Sequence, residues 1–132
     1  MASTRNWSDL AGLLLRILLT AIFLIAAGMK FAAVPFEVSG FARFGYPVWF
    51  MYVIGAAQLF GAVLFWVRGG TACGAFLLAV IMAGAVASHL GAGDPVPMML
   101  PALVLLLVLV AIAYRRRDEL VTPVLRIAAQ RG

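Results

Sequence analysis

Cysteine and histidine each occur once in these 132 residues, and acidic side chains only five times. The lone Cys73 excludes an intrachain disulfide and any multi-cysteine redox or zinc motif. The lone His89 cannot supply two axial haem ligands, and no His/Cys/Asp/Glu group has the spacing of a metal site, so no metal is expected. No Gly-rich phosphate loop precedes a helix, and no nucleophile stands beside a base. Charge is scarce, at 11% of residues against about 25% in soluble domains. No carboxylate falls inside an apolar run, which argues against a proton-coupled pump of the small four-helix kind. An enzyme acting alone is hard to build from this inventory.

What the chain has is apolar surface. Hydrophobic residues make up 65% of it, and the mean hydropathy is +1.09. A soluble fold of this size could not bury so much. A bilayer removes the problem, and the length allows one domain, 1–132. The net charge of +5 does not point to nucleic acid, because most arginines flank the apolar runs.

Four runs approach the ~20 residues a helix needs to cross ~30 Å of hydrocarbon: 10–31, 48–67, 71–90 and 96–114. Helices satisfy their backbone hydrogen bonds internally, and the ~10-residue alternation of barrel strands is absent. The expected fold is therefore an all-α membrane protein, a four-helix transmembrane bundle with short loops. The first run is too long for a signal-peptide core and is interrupted by Arg16, so it reads as a retained span. Pro35, Gly45-Tyr46-Pro47, Arg68-Gly69-Gly70 and Gly91-Ala92-Gly93-Asp94-Pro95 punctuate the runs. Arg5, Arg16, Arg68, Arg115, Arg116, Arg117, Arg126 and Arg131 fall on one side and Lys30 and Arg43 on the other. Both termini are thus expected to be cytoplasmic, in a plasma (inner) membrane.

Two segments are expected on the membrane surface. One is 35–44, as a short outer helix or turn carrying Phe36, Phe41 and Phe44. The other is the amphipathic cytoplasmic tail, 115–132. Thr122 is its expected N-cap and Pro123 its first helical residue, with Val121, Val124, Leu125 and Ala128 on one face. A frayed, solvated end is the alternative. Trp7, Trp49 and Trp66 read as interface anchors and Cys73 as a packing residue. The third run is rich in small residues and is expected at the centre of the bundle. Gly70 with Gly74, and Ala57 with Gly61, would let helices approach closely. The Leu/Val-rich 103–110 segment is expected to face lipid.

Polar groups at membrane depth are functional candidates. Lys30 lies 14 residues beyond Arg16, about 21 Å along the helix. Lys30, Glu37, Arg43, His89 and Asp94 then share the outer side, with Gln58 below them. The candidate ligand-binding set is Lys30, Gln58, His89, Glu37 and Arg16. Each has a plainer use. Lys30 could snorkel to headgroups, His89 could cap its helix, and Gln58 could bridge two helices. Glu37 could form a surface ion pair with Lys30 or Arg43, and Arg16 could anchor the inner end.

The chain resembles the DoxX-like family. The resemblance rests on Arg16, Ala27-Gly28-Met29-Lys30, Phe44-Gly45-Tyr46-Pro47-Val48-Trp49, the segment from Ile54 through Gln58 to Ala62, Gly74-Ala75, Met82-Ala83-Gly84-Ala85 and Ser88-His89-Leu90. It covers about 13–114. It implies a small four-helix membrane protein and, through the family's name, an association with quinone-linked sulfur oxidation. The first expectation is an accessory subunit of a membrane redox system that binds a quinone or similar lipid-soluble molecule. The alternatives are a non-catalytic assembly protein that engages a membrane partner or its own copies, and a small oligomeric transporter.

Overall fold

Six α-helices make up most of residues 6–131, the part this computed structural model describes; the side chains of 123–126 lie outside that description. They are α1 (Trp7–Phe31), α2 (Pro35–Arg43), α3 (Val48–Leu64), α4 (Thr71–Gly91), α5 (Val96–Arg115) and α6 (Asp118–Arg131). Among the described residues α1, α4 and α5 are each long and apolar enough to cross a membrane. They correspond to the runs expected at 10–31, 71–90 and 96–114.

The second run needs a correction. α3 has 17 residues, about 26 Å of helix, and stops at Leu64 rather than at 67. Beyond it the chain tightens: the Phe65 N–H reaches Ala62 O at 3.2 Å and the Trp66 N–H reaches Val63 O at 3.0 Å. The Phe65 carbonyl has left the helical ladder. It accepts Arg16 Nη1 at 3.0 Å and Thr71 Oγ1 at 3.3 Å instead. Before α3, the expected surface segment is helical, with Pro35 in the first turn of α2 where no N–H is needed. α2 meets α3 at a bend of 114°. Pro47, at the N-cap of α3, cannot continue a helix from α2.

Three helix ends share one device. After α1, α2 and α4 a residue in the left-handed region closes the last turn: Ala33 (φ +50°), Gly45 (φ +86°) and Gly93 (φ +71°). Paired backbone bonds then secure the orphan carbonyls, as in a Schellman motif. Val34 N–H reaches Met29 O and Ala33 N–H reaches Lys30 O. Tyr46 N–H reaches Phe41 O and Gly45 N–H reaches Ala42 O. Asp94 N–H reaches His89 O and Gly93 N–H reaches Leu90 O.

α3 packs between α1 and α4, and α4 also supports α5 and α6. The core joins Leu19 and Phe23 of α1, Ala62 of α3 with the adjoining Phe65, Ala75, Leu78 and Met82 of α4, and Leu109 of α5. α4 is the most enclosed long helix, with 39% of its apolar window buried against 17% for α1 and 11% for α5. Its small residues explain this. A Cβ on Gly74 would come 2.6 Å from Gly61 O, so the two backbones touch there. One member of each expected small-residue pair makes this contact. On α5, Val104, Leu107 and Val110 face outward while Leu109 is buried.

Two further expectations are corrected. Cys73 is exposed on α4 rather than packed, because Ala72 and Gly74 on either side of it take the inward positions. The tail helix starts at Asp118, not at Pro123. Asp118 and Glu119 supply the acidic first turn that a helix N-terminus favours, and Thr122 Oγ1 donates back to Asp118 O at 2.7 Å instead of capping. Arg5 and the side chains of Pro123, Val124, Leu125 and Arg126 fall outside the described residues.

Candidate functional site

The polar side chains gather at separate places along α1 and do not form one pocket. The first is at Arg16, nine residues into the helix. Its Nη1 holds the Phe65 carbonyl and its guanidinium lies 4.9 Å from the Trp66 ring centre. Trp66 Nε1–H donates to Thr20 Oγ1 at 2.8 Å, and Thr20 donates to Arg16 O at 2.7 Å. Arg16 therefore does not snorkel away. It ties α1 to the end of α3, and its Nε is buried without a partner among the described residues.

At the C-terminal end of α1, α2 is pinned on two sides. Toward α1, Lys30 Nζ lies 3.3 Å from Glu37 Oε2, with both side chains largely buried. Lys30 also sits 5.9 Å from the Phe41 ring centre. Gly55 makes room for it: a Cβ there would lie 3.2 Å from Lys30 Cβ. So Lys30 is sequestered between helices instead of reaching the surface. Gln58, one turn along α3 from Gly55, is buried, and among the described residues its Oε1 has no hydrogen-bond partner. The helix-bridging bond that Oε1 could make is absent.

Toward α4, Arg43 pairs with Asp94 Oδ1, and His89 Nδ1 lies 2.7 Å from Asp94 Oδ2. A carboxylate only accepts, so the His89 proton on this edge sits on Nδ1. The Arg43 guanidinium, and then His89, hold the Asp94 carboxyl below its ordinary value. Phe44 meets His89 edge to face at 5.1 Å and lies under Arg43 at 4.8 Å.

Beside this triad is an open cleft of about 310 Å³, lined by Arg43, Phe44, Tyr46, Ala87, Ser88 and the Gly91-Ala92 turn. Ser88 donates its proton to Gly84 O at 2.8 Å. The 2.8 Å contact between the two hydroxyls is therefore donated by Tyr46 to Ser88. That polarity leaves Arg43 as a donor and the Tyr46 oxygen as an acceptor at the cleft, with Phe44 as an aromatic wall. Of the five residues expected to form a ligand site, His89 adjoins the cleft. Lys30 and Glu37 form a separate pair, Gln58 lies within the helices, and Arg16 is at the far end. Tyr46 and Ser88 were not singled out as site residues. Their signal was present, since Tyr46 follows a turn glycine and Ser88 precedes the only histidine. Among the described residues no group of three His, Cys, Asp or Glu side chains could hold a metal ion.

The DoxX-like family profile matches residues 14–112. The chain belongs to the DoxX-like family. An uncharacterized protein of Bacillus subtilis (strain 168), YdgD, is 34% identical over 98 residues, covering 70% of this chain and 86% of that relative. No solved structure matches. The DoxX-like match runs from the first core turns of α1 to near the end of α5. It includes Arg16, the α2 segment and the Arg43–Asp94–His89 triad, and leaves out α6.

Proposed function

We propose that this chain is an accessory subunit of a membrane redox system and holds a quinone-type head group in the cleft between α2 and the end of α4. The observation that carries this is the pairing of one donor, Arg43, and one acceptor, the Tyr46 oxygen, beside the Phe44 ring. A quinone offers carbonyl acceptors to the arginine; its reduced form offers hydroxyl donors to the tyrosine. The ring stacks against Phe44, and the isoprenoid tail lies along the exposed apolar helices. The volume is at the lower end of the range for small-molecule sites. His89, with Nδ1–H committed to Asp94, is oriented in the way that carboxylate-paired histidines are when they handle protons. Lys30 and Glu37 fix α2, the lower wall of the site, against α1.

This function places α3 as a fourth span. α3 runs antiparallel beside α1 from Lys30, opposite Gly55, to Arg16, opposite Phe65. Four spans bring both termini to the arginine-rich side, which is the cytoplasmic side of an inner membrane. The cleft then opens outward.

Mass spectrometry of lipid extracts from protein purified in mild detergent tests the proposal. Stoichiometric quinone in the native protein, with loss in Arg43→Ala and Tyr46→Phe, supports it. No quinone in any preparation contradicts it.

A second function, assembly with a membrane partner, has its own support. Ala83, Gly84 and Ala87 form an exposed stretch of α4, and a Cβ on Gly84 would touch nothing. A neighbouring helix could approach closely there. Cross-linking in native membranes that captures one reproducible partner through this face would favour assembly over ligand binding.

A further inference from the structure

A second cavity lies at the opposite end of the molecule, near Arg117, and nothing in the proposed redox role uses it. It is a groove of about 420 Å³ between α4 and α5. Phe76, Ala79, Val80 and Ala83 line it from α4, and Leu106 and Val110 from α5. These residues belong to two helices apolar enough to span a membrane, so the groove opens into the acyl-chain region. Small side chains make it: Ala79 and Ala83 leave the space between Phe76 and the α5 ridge.

Toward the end of α5, Tyr114, Arg117 and Leu120 form its rim. Arg117 donates one Nη1 hydrogen to Tyr114 O at 3.0 Å, and its guanidinium lies 4.4 Å from the Tyr114 ring centre. A guanidinium has five donors, so four remain after that bond. Among the described residues no carboxylate pairs with Arg117; the nearby Glu119 is taken by Arg116 at 3.3 Å. The rim thus combines a fixed cation with the mouth of an acyl-sized channel, at the point where the span ends. Arg115 and Arg116 beside it keep the local charge positive despite Asp118 and Glu119.

We infer that this groove is a specific site for an anionic glycerophospholipid, with one acyl chain between α4 and α5 and the phosphate on Arg117. α6 sets the geometry: its start follows Arg117 directly, and its packing on α4 holds Leu120 over the groove end. A zwitterionic lipid of the same chain length fills the groove equally well but brings its own ammonium to the arginine, so headgroup charge decides occupancy.

Native mass spectrometry of delipidated full-length protein in non-ionic detergent tests this, titrating phosphatidylglycerol against phosphatidylcholine. One phosphatidylglycerol should bind ahead of phosphatidylcholine. Arg117→Ala should weaken it about fivefold, the effect of one basic residue at a membrane surface. Arg115→Ala removes the same charge away from the groove rim and should weaken it less than about twofold, because it costs only long-range attraction. Ala83→Trp, at an exposed groove position, should block binding of both lipids while the melting temperature stays close to that of the native protein. Equal binding of the two lipids overturns the site. So does an Arg115→Ala loss matching that of Arg117→Ala, which would mean diffuse attraction only, or an Ala83→Trp protein that binds as the native one does.

Discussion

His89 Nδ1 and Asp94 Oδ2 stand 2.7 Å apart because both residues belong to the motif that ends α4. Asp94 N–H bonds His89 O, so backbone and side chain tie the same two residues. Such a motif usually carries an apolar contact between these positions. α2 follows the usual pattern, with Phe41 and Tyr46 rings 6.1 Å apart. α4 replaces it with a hydrogen-bonded His89–Asp94 pair that Arg43 joins from α2.

Asp94 therefore makes stability depend on acid. Its carboxyl is held below the ordinary value by Arg43 first and His89 second. A lowered folded value gives stability that is complete above the unfolded value, about 3.9, and is lost as pH falls through the folded one. The gap in melting temperature between the native protein and Asp94→Asn should narrow as pH falls below about pH 4. Scanning fluorimetry in detergent across that range reads it; a gap that does not change with pH refutes the pairing.

The α3–α4 crossing predicts a contrast between two glycines. Gly74→Ala would push a methyl into Gly61 O, which is backbone and cannot swing aside. It should cost about 1–3 kcal/mol, as overpacking does. Gly84→Ala meets nothing and should be neutral or slightly stabilising, since alanine favours helix. Denaturation of both variants in one detergent measures the difference.

Ala33 takes φ +50° where Gly45 and Gly93 serve the corresponding turns. An L-residue pays about 1–2 kcal/mol for that conformation, offset in part by the extra chain entropy of glycine. Ala33→Gly should raise stability by about 0.5–1 kcal/mol. A fall in melting temperature would mean the turn is held for another reason.

Gln58 buries an oxygen with no donor among the described residues. An orphaned buried acceptor costs about 1–3 kcal/mol. Gln58→Met, which keeps the volume, should stabilise the ligand-free protein by about 1 kcal/mol. Destabilisation would contradict an unsatisfied oxygen at this position.

Much of the fold was legible because spans announce themselves by length and hydropathy, and turns by Gly and Pro. The α1, α4 and α5 boundaries fall within a few residues of the expected ones. The end of α3 was not legible. Phe65, Trp66 and Val67 are as apolar as the helix before them, and the capture of the Phe65 carbonyl by Thr71 and by Arg16, 49 residues away, accompanies its end. For the same reason the sequence offers Arg16 as a pocket residue or an inner anchor, whereas it clasps two helices together. Depth along a helix can be counted from sequence, but facing across a bundle cannot. Counting depth groups Lys30, Gln58 and His89 toward one end, yet Lys30 turns to Glu37 and His89 to Asp94. Tyr46 and Ser88 carry only weak signals in the sequence, a turn position and a neighbouring histidine, and it is the 2.8 Å contact that joins them.

The most direct test of the cleft is photolabelling with an azidoquinone in native membranes, followed by peptide mapping. Label on the segments around Tyr46 and Ser88–Ala92, displaced by excess unlabelled quinone and reduced in Arg43→Ala, is the predicted result. Label spread over the lipid-facing sides of α1 and α5, insensitive to competitor and to Arg43→Ala, would contradict a quinone site here.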